Sequence, residues 1–167
     1  MVLTGGPGTG KTTTINAMIE LFKEEGNKVV LTAPTGRAAK RMSEITGCEA
    51  KTIHRLLEVE YTTSGEVRFA RDERHPIDAE VIIVDELSMV DVTLFESLLR
   101  AMKLTCRLIL VGDANQLPPV GAGCVLKDLI DSECVTVVEL NEIFRQAAQS
   151  LIVTNAHAIV SGETPDL

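Results

Sequence analysis

Short apolar runs along this chain alternate with stretches in which apolar residues return every three or four positions. Val2-Leu3 leads into a glycine-rich stretch. Residues 11–25 then place Ile15, Met18, Ile19 and Phe22 on one helical face, and Gly26 stops the pattern. Val29-Val30-Leu31 predicts a buried strand, 36–45 a helix ended by Gly47, and Thr52 to Leu57 a short helix capped by Thr52. Weak alternation over 58–70 about Thr63-Ser64-Gly65 predicts a hairpin; 71–80, polar and carrying Pro76, predicts a loop. Val81–Val84 and Leu108–Val111 are wholly apolar strands on either side of an amphipathic helix over 91–102 (Val92, Phe95, Leu98, Leu99, Met102). A helix over 124–131, a strand over Val135–Val138 and a last helix over 147–160 complete the pattern. Continuous apolar strands interleaved with helices require a parallel sheet covered on both faces, so the expected fold class is α/β. There is no internal repeat, and 58–75 is the one candidate insertion.

Composition narrows the functional classes. The chain has 167 residues, the size of one domain, and a chain this long buries roughly 70% of its unfolded surface. Apolar residues at 45% and charged residues at 24% describe a globular chain rather than a disordered one. With aromatics at 3% and no Trp, the core must be Leu, Ile, Val and Ala, and a base-stacking oligonucleotide barrel is excluded. Sixteen basic against twenty-four acidic residues leave a charge of −8, so any nucleic-acid contact must use a local basic patch. Cys48, Cys106, Cys124 and Cys134 form no C-x-x-C pair and fit no zinc spacing; they predict buried, reduced thiols of a cytosolic protein. His54, His75 and His157 lack metal-ligand spacing. No apolar run approaches the roughly 20 residues of a membrane span, and the first apolar stretch runs into glycines and Lys11 rather than a leader. The abrupt ends predict a fragment of a longer protein.

Gly5-Gly6-Pro7-Gly8-Thr9-Gly10-Lys11-Thr12 fits G-x-x-x-x-G-K-[ST] in full, between a strand and a helix. Glycines let backbone N–H groups turn inward around a phosphate, and the helix N-terminus adds partial positive charge. Gly6, Pro7, Gly8, Thr9, Gly10, Lys11, Thr12 and Thr13 are therefore the candidate phosphate cradle, with Lys11 on the β- and γ-phosphates and Thr12 on Mg²⁺. Asp85-Glu86 follow the strand Val81–Val84. Alone, such a pair serves equally as a helix cap; beside a phosphate loop, Asp85 reads as the Mg²⁺ carboxylate and Glu86 as the group that activates water. Gly112-Asp113-Ala114-Asn115-Gln116 follows the next apolar strand. Gln116 can donate to a γ-phosphate and accept from water, a sensor's task, although alone it is also an ordinary loop amide. Arg145 reads equally as an arginine finger or a surface arginine. All three motifs stand just past strand ends, which share one edge in an open parallel sheet. Residues 36–56 hold Arg37, Lys40, Arg41, Lys51 and Arg55 against Glu44 and Glu49, the one net-positive stretch. With His54 and the amides and hydroxyls of Thr35, Gly36, Ser43 and Thr52 it is either a phosphate-contacting patch or a solvated helix face. Asn27-Lys28-Val29-Val30 lacks the aspartate of a guanine-reading motif, which argues against a GTPase.

These segments, with Thr32-Ala33-Pro34-Thr35-Gly36-Arg37-Ala38-Ala39, Thr52-Ile53-His54-Arg55-Leu56-Leu57, Val84-Asp85-Glu86-Leu87-Ser88-Met89, Gly112 to Gly121 and Leu140 to Gln146, stand in the order of superfamily 1 helicase motifs. Their wording resembles RecD-like ATP-dependent DNA helicases, the group of the exodeoxyribonuclease V alpha subunit. The resemblance covers nearly the whole chain. It implies a RecA-like P-loop fold over 1–167, the first of two motor domains, with 140–167 leading toward the second. It implies ATP and Mg²⁺ as cofactors and 5′-to-3′ movement on single-stranded DNA in repair or recombination, in the bacterial cytoplasm. It makes Lys11, Asp85, Glu86, Gln116 and Arg145 catalytic and lines the DNA track with Pro34, Thr35, Gly36, Arg37, Thr52 and His54. Subunits of a nuclease or recombination complex are implied partners. The competing expectation is a P-loop ATPase of another kind; an arginine-rich kinase lid and an acceptor pocket are not visible.

Overall fold

The computed structural model describes residues 1–61, 67–142 and 150–165. Its elements are β1 (Val2–Gly5), α1 (Lys11–Glu24), β2 (Val29–Ala33), α2 (Gly36–Thr46), β3 (Ala50–Thr52), α3 (Ile53–Leu56), β4 (Val59–Tyr61), β5 (Val67–Phe69), β6 (Val81–Val84), a 3₁₀ turn (Leu87–Met89), α4 (Val92–Arg100), β7 (Arg107–Gly112), α5 (Val125–Asp131), β8 (Val137–Leu140) and α6 (Leu151–Val160). Six strands form one sheet in the order β3-β2-β6-β7-β1-β8, every neighbouring pair parallel. The fold is thus RecA-like α/β. β4 and β5 pair antiparallel as a separate hairpin, Val59 facing Phe69.

Side chains of a strand alternate between faces, and here both faces are covered. Val2, Ile82, Val84 and Leu110 pack on one side with Ile53, Phe95, Leu98, Val125 and Leu126. Leu3, Leu31, Val81, Ile83, Ile109 and Val111 pack on the other with Ile15 and Ile19 of α1 and Met42 of α2. Val81 to Val84 are all fully buried. Burying one such aliphatic side chain contributes about 1.5–3 kcal/mol, so β6 is a rigid mount for whatever follows Val84.

Several expectations need correction. β3 is a strand that Ala50-Lys51-Thr52 does not announce; it exists by pairing Ala50 to Leu31 and Thr52 to Ala33. The strand expected over Val135–Val138 lies at Val137–Leu140, because Val2 pairs with Val137 and Gly5 with Leu140. β8 has β1 as its one partner in the described sheet, so Glu139 stays exposed and an apolar run does not mark it. The cysteines are not buried: Cys48, Cys106 and Cys124 are half-buried and Cys134 is exposed, and all four are free. Among the described residues no helix is long and apolar enough to cross a membrane.

Candidate functional site

The loop between β1 and α1 turns through two glycines with positive φ, 77° at Gly8 and 90° at Gly10, which brings the N-terminus of α1 up to the strand end. The Thr9 hydroxyl donates to the Gly6 carbonyl at 2.8 Å and braces the turn. Lys11 Nζ donates to the carbonyls of Gly5 (2.6 Å) and Gly6 (2.9 Å). Burial pushes the Lys11 ammonium below its ordinary range, against the pull of Asp113, Glu86 and Asp85. The cation is thus held partly desolvated beside three carboxylates, where a phosphate oxygen gains most from it.

Asp85 continues β6, its N–H donating to the Thr32 carbonyl at 2.9 Å, and its Oδ1 accepts from the Glu86 N–H at 2.9 Å. Burial raises the Asp85 carboxyl above its ordinary value, opposed by the Glu86 N–H, Lys11 and Arg41. Glu86 is raised first by burial and then by repulsion from Asp85, again opposed by Lys11 and Arg41. Its backbone is left-handed (φ 54°, ψ 42°), a strained conformation for a residue with a Cβ that turns the chain out of the strand into the 3₁₀ turn.

β7 lies between β1 and β6, so the loop after it stands between the phosphate loop and the acidic pair. Asp113 is 5% exposed, and its Oδ1 accepts from the Asn115 N–H at 2.9 Å, forming the turn that presents Gln116. A cleft of about 230 Å³ is lined by Pro7, Gly8, Thr9, Gly10, Lys11, Thr12, Arg41, Asp85, Glu86 and Gln116, with Ile15, Met42, Ile45 and Thr46 of α1 and α2. Thr12 and Asp85 offer hard oxygen donors in the same cleft, the chemistry that suits Mg²⁺ held jointly with phosphates and water. Among the described residues no group of three or more His, Cys, Asp and Glu could hold a metal alone.

The candidate DNA residues also meet. Because Ala33 pairs with Thr52, the segments Pro34–Arg37 and Thr52–His54 leave the sheet side by side. Gly36, Arg37 and His54 are exposed; Pro34, Thr35 and Thr52 are half-buried. Thr35 Oγ1 accepts from the Ala38 N–H and Thr52 Oγ1 from the Arg55 N–H, both at 3.2 Å. Both threonines are helix caps, and in each the hydroxyl accepts in the cap, which leaves its proton to donate. Ser43 does not join them: it donates to the Ala39 carbonyl (3.0 Å) and accepts from the Ala50 N–H (2.9 Å). Lys40 and Lys51 reach Glu44 and Glu49, whereas Arg37, Arg41 and Arg55 have no ion pair among the described residues.

Four residues take places that the sequence did not assign to them. Arg41 belonged to the basic stretch, but it lines the cleft beside the phosphate loop. Asp113 is a buried acidic residue whose field acts on Lys11. Ser88 donates to Gln116 Oε1 at 3.2 Å. His157 of α6 sits 3.1 Å from the Pro7 carbonyl, and a Cβ at Gly6 would come within 2.7 Å of its ring, which explains a glycine there. Asp113 and Ser88 stand inside the motifs and Arg41 inside the basic stretch, each without the place it takes here; nothing in the sequence marks His157. Arg145 lies outside the described residues.

A family model described as an AAA domain matches residues 1–122. The ATP-dependent RecD2 DNA helicase of Deinococcus radiodurans is 44% identical over 165 residues, 99% of this chain and 22% of that protein. The RecBCD enzyme subunit RecD of Mycolicibacterium smegmatis is 43% identical over 153 residues, 78% of this chain and 27% of that protein. Among solved structures, the Pif1 helicase from Candida albicans superposes with a TM-score of 0.68 at 25% identity, over 99% of this chain and 41% of that one. The chain therefore spans between 22% and 27% of the length of these two curated relatives.

Proposed function

The chain belongs to the AAA-domain family in its RecD-like, superfamily 1 form, and from that premise we propose that it is the first motor domain of an ATP-dependent DNA helicase. In this reading residues 1–167 hold ATP and Mg²⁺ on one side, and hydrolysis drives 5′-to-3′ movement on single-stranded DNA. The 58–75 hairpin region is an insertion, and 140–167 lead to a second motor domain. The setting is DNA repair or recombination in a bacterial cytoplasm, with subunits of a nuclease complex as further partners.

The observation that carries the reading is convergence: Lys11, Thr12, Asp85, Glu86 and Gln116 from three separate strand ends line one cleft. Each residue then has a physical task. The cradle residues Gly6 to Thr13 bind phosphates through backbone N–H groups and the α1 N-terminus. Lys11 offsets charge on the oxygens of the transferred group, and Thr12 and Asp85 would hold Mg²⁺, which neutralises the β- and γ-phosphates when bound. Glu86, its carboxylate made more basic by burial, accepts the proton of the attacking water at its carboxyl oxygen. Gln116 registers the γ-phosphate, and Arg145 supplies further positive charge to it. Pro34, Thr35, Gly36, Arg37, Thr52 and His54 hold the DNA backbone.

The test is the ATPase rate of the full-length protein with and without single-stranded DNA, with K11A and E86Q as controls. Stimulation by DNA that both substitutions abolish is expected. Hydrolysis that ignores DNA would put a non-helicase P-loop ATPase in its place.

A further inference from the structure

We propose that Ser88 is a positioning residue that sets the amide of Gln116 as a hydrogen-bond donor to the γ-phosphate, an assignment that rests on the proposed ATPase reading. The Ser88 hydroxyl donates to Gln116 Oε1 at 3.2 Å. An amide offers two faces, an acceptor oxygen and a donor NH₂. With Oε1 engaged by Ser88, the group left for the cleft is Nε2, which has no partner among the described residues. Of the two tasks open to a glutamine beside a triphosphate, donating to a phosphate oxygen and accepting from water, Ser88 selects the first.

The geometry around the pair is stiff. Ser88 is 8% exposed, in the 3₁₀ turn two residues after Glu86. A Cβ on Gly112, the last residue of β7, would lie 3.4 Å from the backbone nitrogens of both Leu87 and Ser88 and 2.8 Å from Leu126 Cδ2. The turn after the acidic pair therefore packs directly on the strand that presents the glutamine loop. On the loop's side, the Gln116 N–H donates to the Asp113 carbonyl at 3.1 Å. The hydroxyl thus joins two segments already fixed in place, the one carrying the water-activating carboxylate and the one carrying the sensor. When Gln116 turns toward a γ-phosphate, the turn after Glu86 is coupled to that movement.

The experiment is a double-mutant cycle in the full-length protein: wild type, S88A, Q116A and S88A/Q116A, with S88T as rescue. The readouts are kcat and KM for ATP at saturating single-stranded DNA. Losing one oriented hydrogen bond predicts a fall in kcat of about three- to tenfold for S88A with KM within about twofold. S88T, which keeps the hydroxyl, returns kcat toward wild type. In the Q116A background, S88A is expected to change kcat by less than about twofold, because the group it acts through is gone. A merely structural role would lower kcat by the same factor in both backgrounds, and that result overturns the proposal. So does S88A raising KM at unchanged kcat. Should S88A lower the melting temperature, S88C, which keeps the shape and replaces the hydroxyl with a weak donor, must reproduce the split. Wild-type activity lost in Q116A but indifferent to S88A and S88C refutes Ser88 alone; a wild type with no ATPase activity refutes the underlying reading.

Discussion

Glu86→Gln makes the sharpest demand on this site, because one substitution is expected to move catalysis and stability in opposite directions. Glutamine keeps the size of the side chain and removes its charge and basicity. Losing a positioned general base costs about 10²–10⁴ in rate, which is about 2.7–5.5 kcal/mol on the barrier. The stability effect has the other sign. Burial and the neighbouring Asp85 both raise the Glu86 carboxyl in the fold, so the native state holds its proton more tightly than the unfolded chain does. Between the unfolded value of 4.5 and the raised folded value, stability falls as pH rises; above that window the full cost of the buried charge is present. E86Q is therefore expected to melt higher than wild type at pH 7, with the gain shrinking as pH falls toward the unfolded value. Steady-state ATPase assays and thermal melts at pH 4.5 and 7 measure both effects. Nucleotide binding, followed by titration with a fluorescent ATP analogue, should persist, since Lys11 and the cradle are untouched. A variant that keeps more than about a tenth of wild-type kcat would remove Glu86 from its role as base. A variant that melts lower at pH 7 would refute the claim that the carboxylate is held at a cost.

The other predictions concern the walls of the same cleft and the surface beside it. Arg41→Ala should raise the KM for ATP about tenfold or more, the worth of a charge-assisted hydrogen bond, with Arg41→Lys recovering part of the loss; an unchanged KM would leave Arg41 a surface residue. Arg37→Ala should weaken single-stranded DNA binding across all sequences and lower its salt slope by about 1, read by fluorescence anisotropy over a salt series, while ATP binding is unchanged. Thr35→Ala removes the cap on α2 and should cost about 0.5–2 kcal/mol in chemical denaturation, with Thr35→Ser restoring most of it. Gly112→Ala drives a Cβ to 2.8 Å from Leu126 Cδ2 and should cost about 1–3 kcal/mol by overpacking.

The parts legible in the sequence were those written in one dimension. Val81–Val84 and Leu108–Val111 announced themselves because a strand buried on both faces has no polar position. The phosphate loop announced itself because close approach of backbone to phosphate needs glycine at fixed spacing. Thr52 and Gly47 were readable as helix ends for equally local reasons, a side-chain oxygen for a free N–H and a residue tolerant of positive φ (65° at Gly47). What stayed hidden depends on a partner far along the chain. Ala50-Lys51-Thr52 is a strand because Leu31 to Ala33 lie beside it. Ser88 matters because Gln116, 28 residues later, folds back over it. Arg41 was visible as a positive charge, but charge counting along a stretch does not say which cavity that charge enters.

Arg41's position also changes how the two candidate sites relate. Arg37 and Arg41 are four residues apart on α2, one turn along the same face, so their Cα atoms stand about 6 Å apart. One belongs to the candidate DNA segment and the other lines the nucleotide cleft. On the buried side of α2, Ala39 and Met42 pin the helix, each only 4% exposed. The residue that caps α2, Thr35, is itself in the DNA segment. Arg37 and Arg41 stand on adjacent turns of one helix, so a rigid-body shift of α2 on DNA would carry Arg41 with it. Arg41 already biases both Asp85 and Glu86 toward their charged forms. A DNA-dependent displacement of α2 would therefore change the electrostatic setting of Asp85 and Glu86, the carboxylates proposed to hold the metal and to activate water. That route is short enough to test directly. If α2 transmits the signal, R41A should reduce the stimulation of ATPase by single-stranded DNA by a larger factor than it reduces the DNA-free rate. Equal factors in both conditions would place Arg41 in nucleotide binding alone and return the coupling to another path.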